Sequence, residues 1–523
     1  MDSFGQGGRI TGSSTVLIAL GVIVITGFSL RVWGIDFGLP YMYHPDEPNK
    51  IIIAQRMFKT GDLDPHYFKK PTFFIYLNAL LYIPYYFYGK VTGIFSSPAD
   101  IQPPLMLAMG TGYTSMPETI LMARMLTVVV ATATIPLLYV IGKQVSGKTS
   151  VGLIAAVAIA LFPASIMHSR FVTVNSFLVF FIAMTVLVSL RILRHGKRGD
   201  YILAGVMVGL AISSKYPGAL AGIIPVAAHF LRTEKLSLKG RELYMIVFAI
   251  LLAFFLTTPF ALLNSSRFLE DTLYESRHYS TGHAGMEGNA FKWYLGYIWK
   301  MGGIIPVLAL LEVGRGLVRR SKPIILLSVF PVLYFIFISS FEVRNDRTFL
   351  PITPFLFLLA SSFLVYLLNY VRGLRPKVAR WGTLLVAGLC VIVIVYPFME
   401  TIRNAKEIKM VDSRKTASKW INNNLPPGAQ IAIESYSPFV DPERFSIMGT
   451  KRIINRDPKW YVFHGFDYLV FSEGMYQRFY REPGKYRNEV AAYDYFFDLF
   501  TEVKYFDDGG YEVKVYRIDS SNK

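Results

Sequence analysis

Apolar runs long enough to cross a bilayer recur along this 523-residue chain, parted by short basic loops. The first covers residues 16–33 and the last residues 381–399. A stretch of about 20 apolar residues spans hydrocarbon as a helix, because no water is present there to satisfy an open backbone. The composition agrees: 53% of residues are hydrophobic and 17% charged, with a mean hydropathy of +0.38. A soluble chain of this length has no use for so much apolar surface. The pattern predicts a polytopic α-helical membrane protein with about eleven transmembrane helices.

The formal charge of +18 could indicate nucleic acid, but the lysines and arginines cluster in loops between apolar segments, at 143–148, 191–198, 232–241, 315–322 and 372–380. That is the positive-inside pattern, so the charge reports topology and no nucleic-acid partner is expected. With those loops cytoplasmic, residues 169–175, 215–217, 264–292 and 341–348 fall on the outer face, as does everything beyond residue 400. The first apolar run has no convincing small-residue cleavage site and is expected to remain as an anchor. The single cysteine, Cys390, lies in an apolar run and excludes an internal disulfide.

Two segments depart from the simple alternation. Residues 71–95 are apolar but rich in tyrosine, including Tyr82, Tyr85, Tyr86 and Tyr88, and read as an aromatic helix at the outer interface. The tail reads as an amphipathic helix at 416–425 with strands at 430–434, 468–472 and 511–518, a small α/β domain. The expected organisation is a membrane domain over 1–400, with a long first outer loop at 36–117, and an extracytoplasmic domain over 401–523.

Chemistry gathers in that first loop. Tyr43-His44-Pro45-Asp46-Glu47-Pro48 places two adjacent carboxylates beside an imidazole and between prolines. Asp46 and Glu47 suit a general base and its partner, with His44 and Tyr43 as neighbours to an acceptor. An equal alternative is a helix-capping turn, with Asp46 at the cap and Pro48 in the first turn. Further on, Asp62, Asp64 and His66 have a spacing that could ligate a divalent cation, or simply cap a turn. Lys69 and Lys70 follow, placed either to meet a lipid phosphate or to snorkel toward headgroups. The other outer segments carry cations where the positive-inside rule expects few: His168 and Arg170, Lys215, Arg277 with His278 and His283, and Arg344 with Arg347. Together they suggest a basic pocket for an anionic group. Residues 279–288, rich in Gly and His, suit a mobile acceptor loop or a plain surface loop.

In motif order the chain resembles the GT-C glycosyltransferases, in particular the protein O-mannosyltransferases and the lipid A aminoarabinose transferases. The resemblance runs through His44-Pro45-Asp46-Glu47, the segment 61–66, Lys70-Pro71, Ser169-Arg170, Ser214-Lys215-Tyr216-Pro217-Gly218 and the segment 344–351. Thr416-Ala417-Ser418-Lys419-Trp420-Ile421 and Asp467-Tyr468-Leu469-Val470 are similar to the outer domain of those enzymes.

The resemblance implies transfer of a hexose or pentose from a polyprenyl-phosphate donor to a hydroxyl of a protein, lipid or glycan acceptor, outside the plasma membrane and with inversion. Asp46 would be the catalytic base and Glu47 would orient it or the acceptor. Lys70, Arg170, Lys215, Arg344 and Arg347 would bind the donor phosphate. No cofactor is implied, and Asp62, Asp64 and His66 are the reserve metal set. Asn175 departs from the pattern, standing where many relatives carry an acid, and Thr72 stands where a second proline is frequent. The rival reading is a transporter or flippase of lipid-linked or small anionic substrates. That class usually shows an internal repeat and ionisable residues in mid-helix, whereas here the charges sit at helix ends.

Overall fold

The computed structural model describes residues 7–237, 240–282, 284–408 and 410–519. Helix α1, Gly7–Val32, leads into a long segment that holds α2, Pro48–Thr60, and α3, Phe73–Val91. A hairpin of β1, Leu105–Ala108, and β2, Thr111–Tyr113, follows, and α4, Pro117–Ser146, returns the chain into the helical core. Among the described residues six helices are long and apolar enough to cross a membrane, or eight if each of two bent pairs counts as one span. The bends have local causes. One of 57° falls at Pro163, between Thr149–Leu161 and Pro163–Ser169. The other, of 104°, falls at Gly302-Gly303, between Ala290–Gly302 and Ile305–Val318.

The eleven spans expected from the sequence are not reached on this measure. The helices Arg198–Ser214 and Arg241–Thr257 are apolar but only 17 residues long each. The tyrosine-rich α3, broken by Pro84, is not among the six either. Helix packing is tight where small residues meet: a Cβ on Gly142 of α4 would lie 2.8 Å from the Cα of Gly152. Without a hydrophobic drive between helices in lipid, such close backbone approach supplies the packing energy.

The polar tail forms a five-stranded sheet in the order β4-β3-β5-β7-β6, from β3, Gln430–Ile433; β4, Ser446–Gly449; β5, Tyr468–Ser472; β6, Thr501–Phe506; and β7, Val513–Arg517. β3 pairs in parallel with β4 and β5, while β7 runs antiparallel to both β5 and β6. Helices cover both faces, so β5 is buried from Leu469 to Ser472. Leu469 and Phe471 enter one core with Tyr493 and Phe496, and Val470 enters the other with Ala417 and Ile421. The expected helix and three strands are present; β4, β6 and the β1–β2 hairpin were not foreseen. The last apolar helix, Pro376–Glu407, runs past the boundary drawn at residue 400, so the sheet domain opens with the Asp412-capped helix Ser413–Asn424.

One arrangement prepares the site. Residues 40–42 lie along β2, with Met42 N–H donating to Gly112 O at 2.8 Å and Thr114 N–H to Pro40 O at 2.9 Å. The sheet domain grips the other side of the hairpin: Tyr436 N–H donates to Met109 O at 2.8 Å and Thr111 Oγ1 to Ser437 O at 2.7 Å. The acidic turn at 43–47 therefore springs from a three-layer stack of sheet domain, hairpin and loop.

Candidate active site

Pro48 occupies the first turn of α2, as the sequence suggested, but the residue at its N-cap is Glu47 and no side chain caps the helix. The capping reading of Asp46 is thus set aside by where its side chain goes. Its carboxylate pairs with Arg347, more than 300 residues away, and keeps 39% exposure toward a cavity. The preceding His44 shapes the turn: its Nδ1 accepts the Asp46 N–H at 3.3 Å, and its ring stacks on Phe171 at 4.3 Å. Burial lowers the His44 pKa to about 4, so it is a neutral imidazole at pH 7. Burial also opposes ionisation of Asp46, but the Arg347 and Lys50 charges outweigh it and hold the carboxyl well below the usual range.

Arg347 is set by its own helix start. Asn345 caps the short helix Asp346–Phe349 by accepting the Thr348 N–H at 3.0 Å, and Asp346 is fixed by His168 Nε2 at 3.0 Å. Around the Asp46–Arg347 pair a small polar cavity of about 50 Å³ is lined by Lys50, Lys70, Lys215, Tyr67 and Asn175. Lys50 lies one turn along α2 and its ammonium reaches the Asp46 backbone carbonyl. Lys215 lies 3.4 Å from Asn175 Oδ1. Burial lowers the Lys50 pKa to about 8 and the Lys215 pKa to about 7.

Lys70, Lys215 and Tyr279 also line a second cavity, apolar and about 480 Å³, walled by Leu220, Phe337 and Phe341. Lys70 itself pairs with Glu275, on the helix Ser265–Thr281. That helix also anchors the lysine loop, because Asp271 Oδ2 accepts the Phe68 N–H at 2.7 Å. A cation-rich recess adjoining an apolar groove has the polarity for a phosphate with a long hydrocarbon tail.

The remaining predicted site residues fall elsewhere, each for a visible reason. Glu47 does not face the cavity: it is fully buried, gripped by Arg124 Nε and Nη2 at 2.8 and 2.7 Å, and accepts the Val172 N–H at 2.8 Å. Arg124 in turn donates to the Ile35 and Phe37 carbonyls, so this pair fastens the outer loop to α4. Arg170 turns inward and donates to Leu30 O at 2.8 Å. Arg344 pairs with Glu482 of the sheet domain at 3.2 Å. Tyr43 is buried with the Arg414 guanidinium 3.8 Å from its ring centre. His278 stacks parallel to Tyr274, and His283 lies outside the described residues.

Asp62, Asp64 and His66 close a turn upon themselves. Asp62 Oδ1 accepts the Asp64 N–H and Asp64 Oδ1 the His66 N–H, each at 2.9 Å, while Asp64 Oδ2 accepts from Asn264 at 2.8 Å. These bonds occupy the oxygens a cation would need. Among the described residues no group of three or more His, Cys, Asp or Glu side chains is placed to hold a metal ion. Sequence reasoning missed Lys50, Tyr67, Glu275 and Tyr279. Only the phase of α2, which puts position 50 one turn after Asp46, could have pointed to the first of these.

Residues 102–260 match the family model described as dolichyl-phosphate-mannose-protein mannosyltransferase. No curated protein matches the chain. The structure is similar to ArnT from Cupriavidus metallidurans bound to undecaprenyl phosphate, with a TM-score of 0.53 at 15% identity over 96% of this chain and 98% of that one. It is also similar to the oligosaccharyltransferase AglB from Archaeoglobus fulgidus, in complex with an inhibitory peptide and a dolichol-phosphate. There the TM-score is 0.55 at 12% identity, over 98% of this chain and 75% of AglB. The chain therefore shares the fold of these two proteins over nearly its whole length, and its residues 102–260 match the mannosyltransferase family model.

Proposed function

We propose that this protein is a membrane glycosyltransferase that moves a sugar from a polyprenyl-phosphate donor to an acceptor hydroxyl on the extracytoplasmic face of the cell membrane. The observation that carries the reading is the junction of the two cavities. Lys70 and Lys215 stand between the recess that holds Asp46 and Arg347 and the apolar groove. A phosphate there would meet the cations, its prenyl chain would lie in the groove, and its sugar would project toward Asp46. The acceptor oxygen attacks the anomeric carbon as its proton passes to Asp46. The bond from that carbon to the phosphate oxygen breaks, and its electron pair leaves with the phosphate. Cations aimed at the departing oxygen stabilise the charge that grows there. Arg347 is held by Asp46; a donor phosphate competes for it and frees the carboxylate to act as base.

The fold supports this reading over a transporter, since both relatives above are transferases by name or bind lipid phosphate in their solved structures. Purified protein given radiolabelled polyprenyl-phosphate sugar and candidate acceptors should release polyprenyl phosphate and form a labelled product. Movement of substrate across vesicles without a covalent product would reverse the choice. We expect no divalent cofactor, because lysine and arginine supply the positive charge and Asp62, Asp64 and His66 are engaged in their own turn. EDTA is thus expected to leave the transfer rate unchanged; lost activity restored by a divalent cation would overturn this.

Arg347→Met gives a pH test. Asp46 accepts a proton only when ionised, so transfer fails as pH falls through its pKa. Burial raises that pKa and Arg347 lowers it. Removing Arg347 leaves burial less opposed, so the acid limb of the kcat/KM profile, which reports the enzyme before the donor binds, should move to higher pH. An acid limb that stays in place would show that Arg347 does not govern Asp46.

A further inference from the structure

Lys215 belongs to both the recess and the apolar groove, and its charge is poorly supported. It follows directly on the helix Arg198–Ser214 and is buried. Its ammonium donates to a neutral amide, Asn175 Oδ1, at 3.4 Å. Asn175 opens the helix Asn175–His195, and the positive end of that helix further disfavours a cation. The two carboxylates whose charge reaches Lys215 are already paired, Glu275 with Lys70 and Asp46 with Arg347. Arg347 and Lys70 face it as like charges. Lys50 and Lys69 line the two cavities as well, with the phenols of Tyr67, Tyr216 and Tyr279.

A buried ammonium in such company is readily lost. Burial first, then Arg347 and Lys70, lower the Lys215 pKa to about 7. A phosphate at the junction of the cavities reverses the balance. It brings a negative charge to Lys215 and draws Arg347 away from Asp46, whose carboxylate then supports the remaining cations. Both changes favour the ammonium, so the pKa rises on binding. A group whose pKa rises on binding takes up a proton at any pH between its free and bound values. An aspartate at position 175 would undo this. It would hold Lys215 charged throughout and compete with the phosphate for it, as Asp46 does for Arg347.

We propose that binding of the lipid-phosphate donor takes up one proton at Lys215, and that Asn175 sets this coupling by withholding a carboxylate. The inference rests on the lipid-phosphate donor reading above. Donor loading then responds to the pH at the mouth of the recess and tightens as that side acidifies.

Undecaprenyl methyl phosphate is the probe. It requires no particular sugar, and as a diester it lacks the second ionisation of a monoester at about pH 6. Calorimetric titration of the full-length protein, in buffers of different protonation enthalpy, counts the protons. At about pH 8 uptake should be close to one proton per ligand, and Kd should rise about tenfold per pH unit above neutral while staying flat below it. Lys215→Arg keeps a charge that it cannot release, so uptake should vanish and Kd should stop following pH. Asn175→Asp should lose the uptake in the same way. Probe binding retained at about pH 6, where Lys215 is charged in any case, shows that a variant is folded.

Uptake that persists in Lys215→Arg would place the proton on another group, such as Lys50, and overturn the assignment. Uptake unchanged in Asn175→Asp would remove Asn175 from it. No uptake by the unaltered protein, with a Kd independent of pH, overturns the inference and leaves the donor reading standing. Failure of the probe to bind at any pH overturns both.

Discussion

Asp46→Asn should lower kcat for sugar transfer by about 10³-fold, within the range expected for loss of a general base. Polyprenyl phosphate should meanwhile bind at least as tightly as before. The two halves of this expectation come from one contact. Asp46 is the carboxylate that lies in the recess, and it neutralises Arg347. An amide cannot take the acceptor proton, so the chemical step fails. It also no longer competes with the phosphate for Arg347, so ground-state binding does not suffer. Binding and catalysis moving apart is what distinguishes a lost base from a damaged pocket. Normal transfer by a folded Asp46→Asn protein would remove the base assignment; equal loss of binding and rate would recast Asp46 as a structural ion-pair partner.

Glu47→Ala should act through stability instead. Glu47 and Arg124 are 0% and 1% exposed, and the guanidinium spends its remaining donors on the Ile35 and Phe37 carbonyls. Removing the carboxylate leaves a buried cation without its partner, a loss of about 3–5 kcal/mol in comparable buried pairs. It also strands the Val172 N–H. The melting temperature should fall sharply, and lost activity should follow the lost folded fraction. Replacing both partners, as Glu47→Met with Arg124→Met, should recover much of the stability, because no unpaired charge remains. A stable Glu47→Ala protein with full donor binding and abolished kcat would return Glu47 to the catalytic role implied by resemblance.

The contrast between these neighbours shows how far a sequence can be read. Two acids at a helix start pointed to the recess, and helix-end cations elsewhere in the chain pointed to its lining. Lys70, Lys215 and Arg347 do converge on Asp46. Arg170 and Arg344 were indistinguishable from them in sequence, yet one turns to Leu30 and the other to Glu482. Their directions depend on which backbone or carboxylate lies within reach after packing, and no local pattern encodes that. Lys50 was overlooked because it belongs to no motif; helical phase and a distant arginine give it meaning. In the tail, β5 was legible as a continuous buried run, whereas the edge strand β4, Ser446–Gly449, carries too little pattern to stand out.

Sequence alone determined the membrane class, the basic loops, the small C-terminal α/β domain and the acidic turn, because hydropathy, charge placement and short-range periodicity are local properties of the chain. Tertiary structure decided which acid is presented and which is buried, which cations share a recess, and that this recess adjoins an apolar groove. Those outcomes rest on pairs such as Asp46 with Arg347 and Glu47 with Arg124. Their partners lie dozens to hundreds of residues apart, and the dry surroundings that make such pairs strong exist only once the helices have packed.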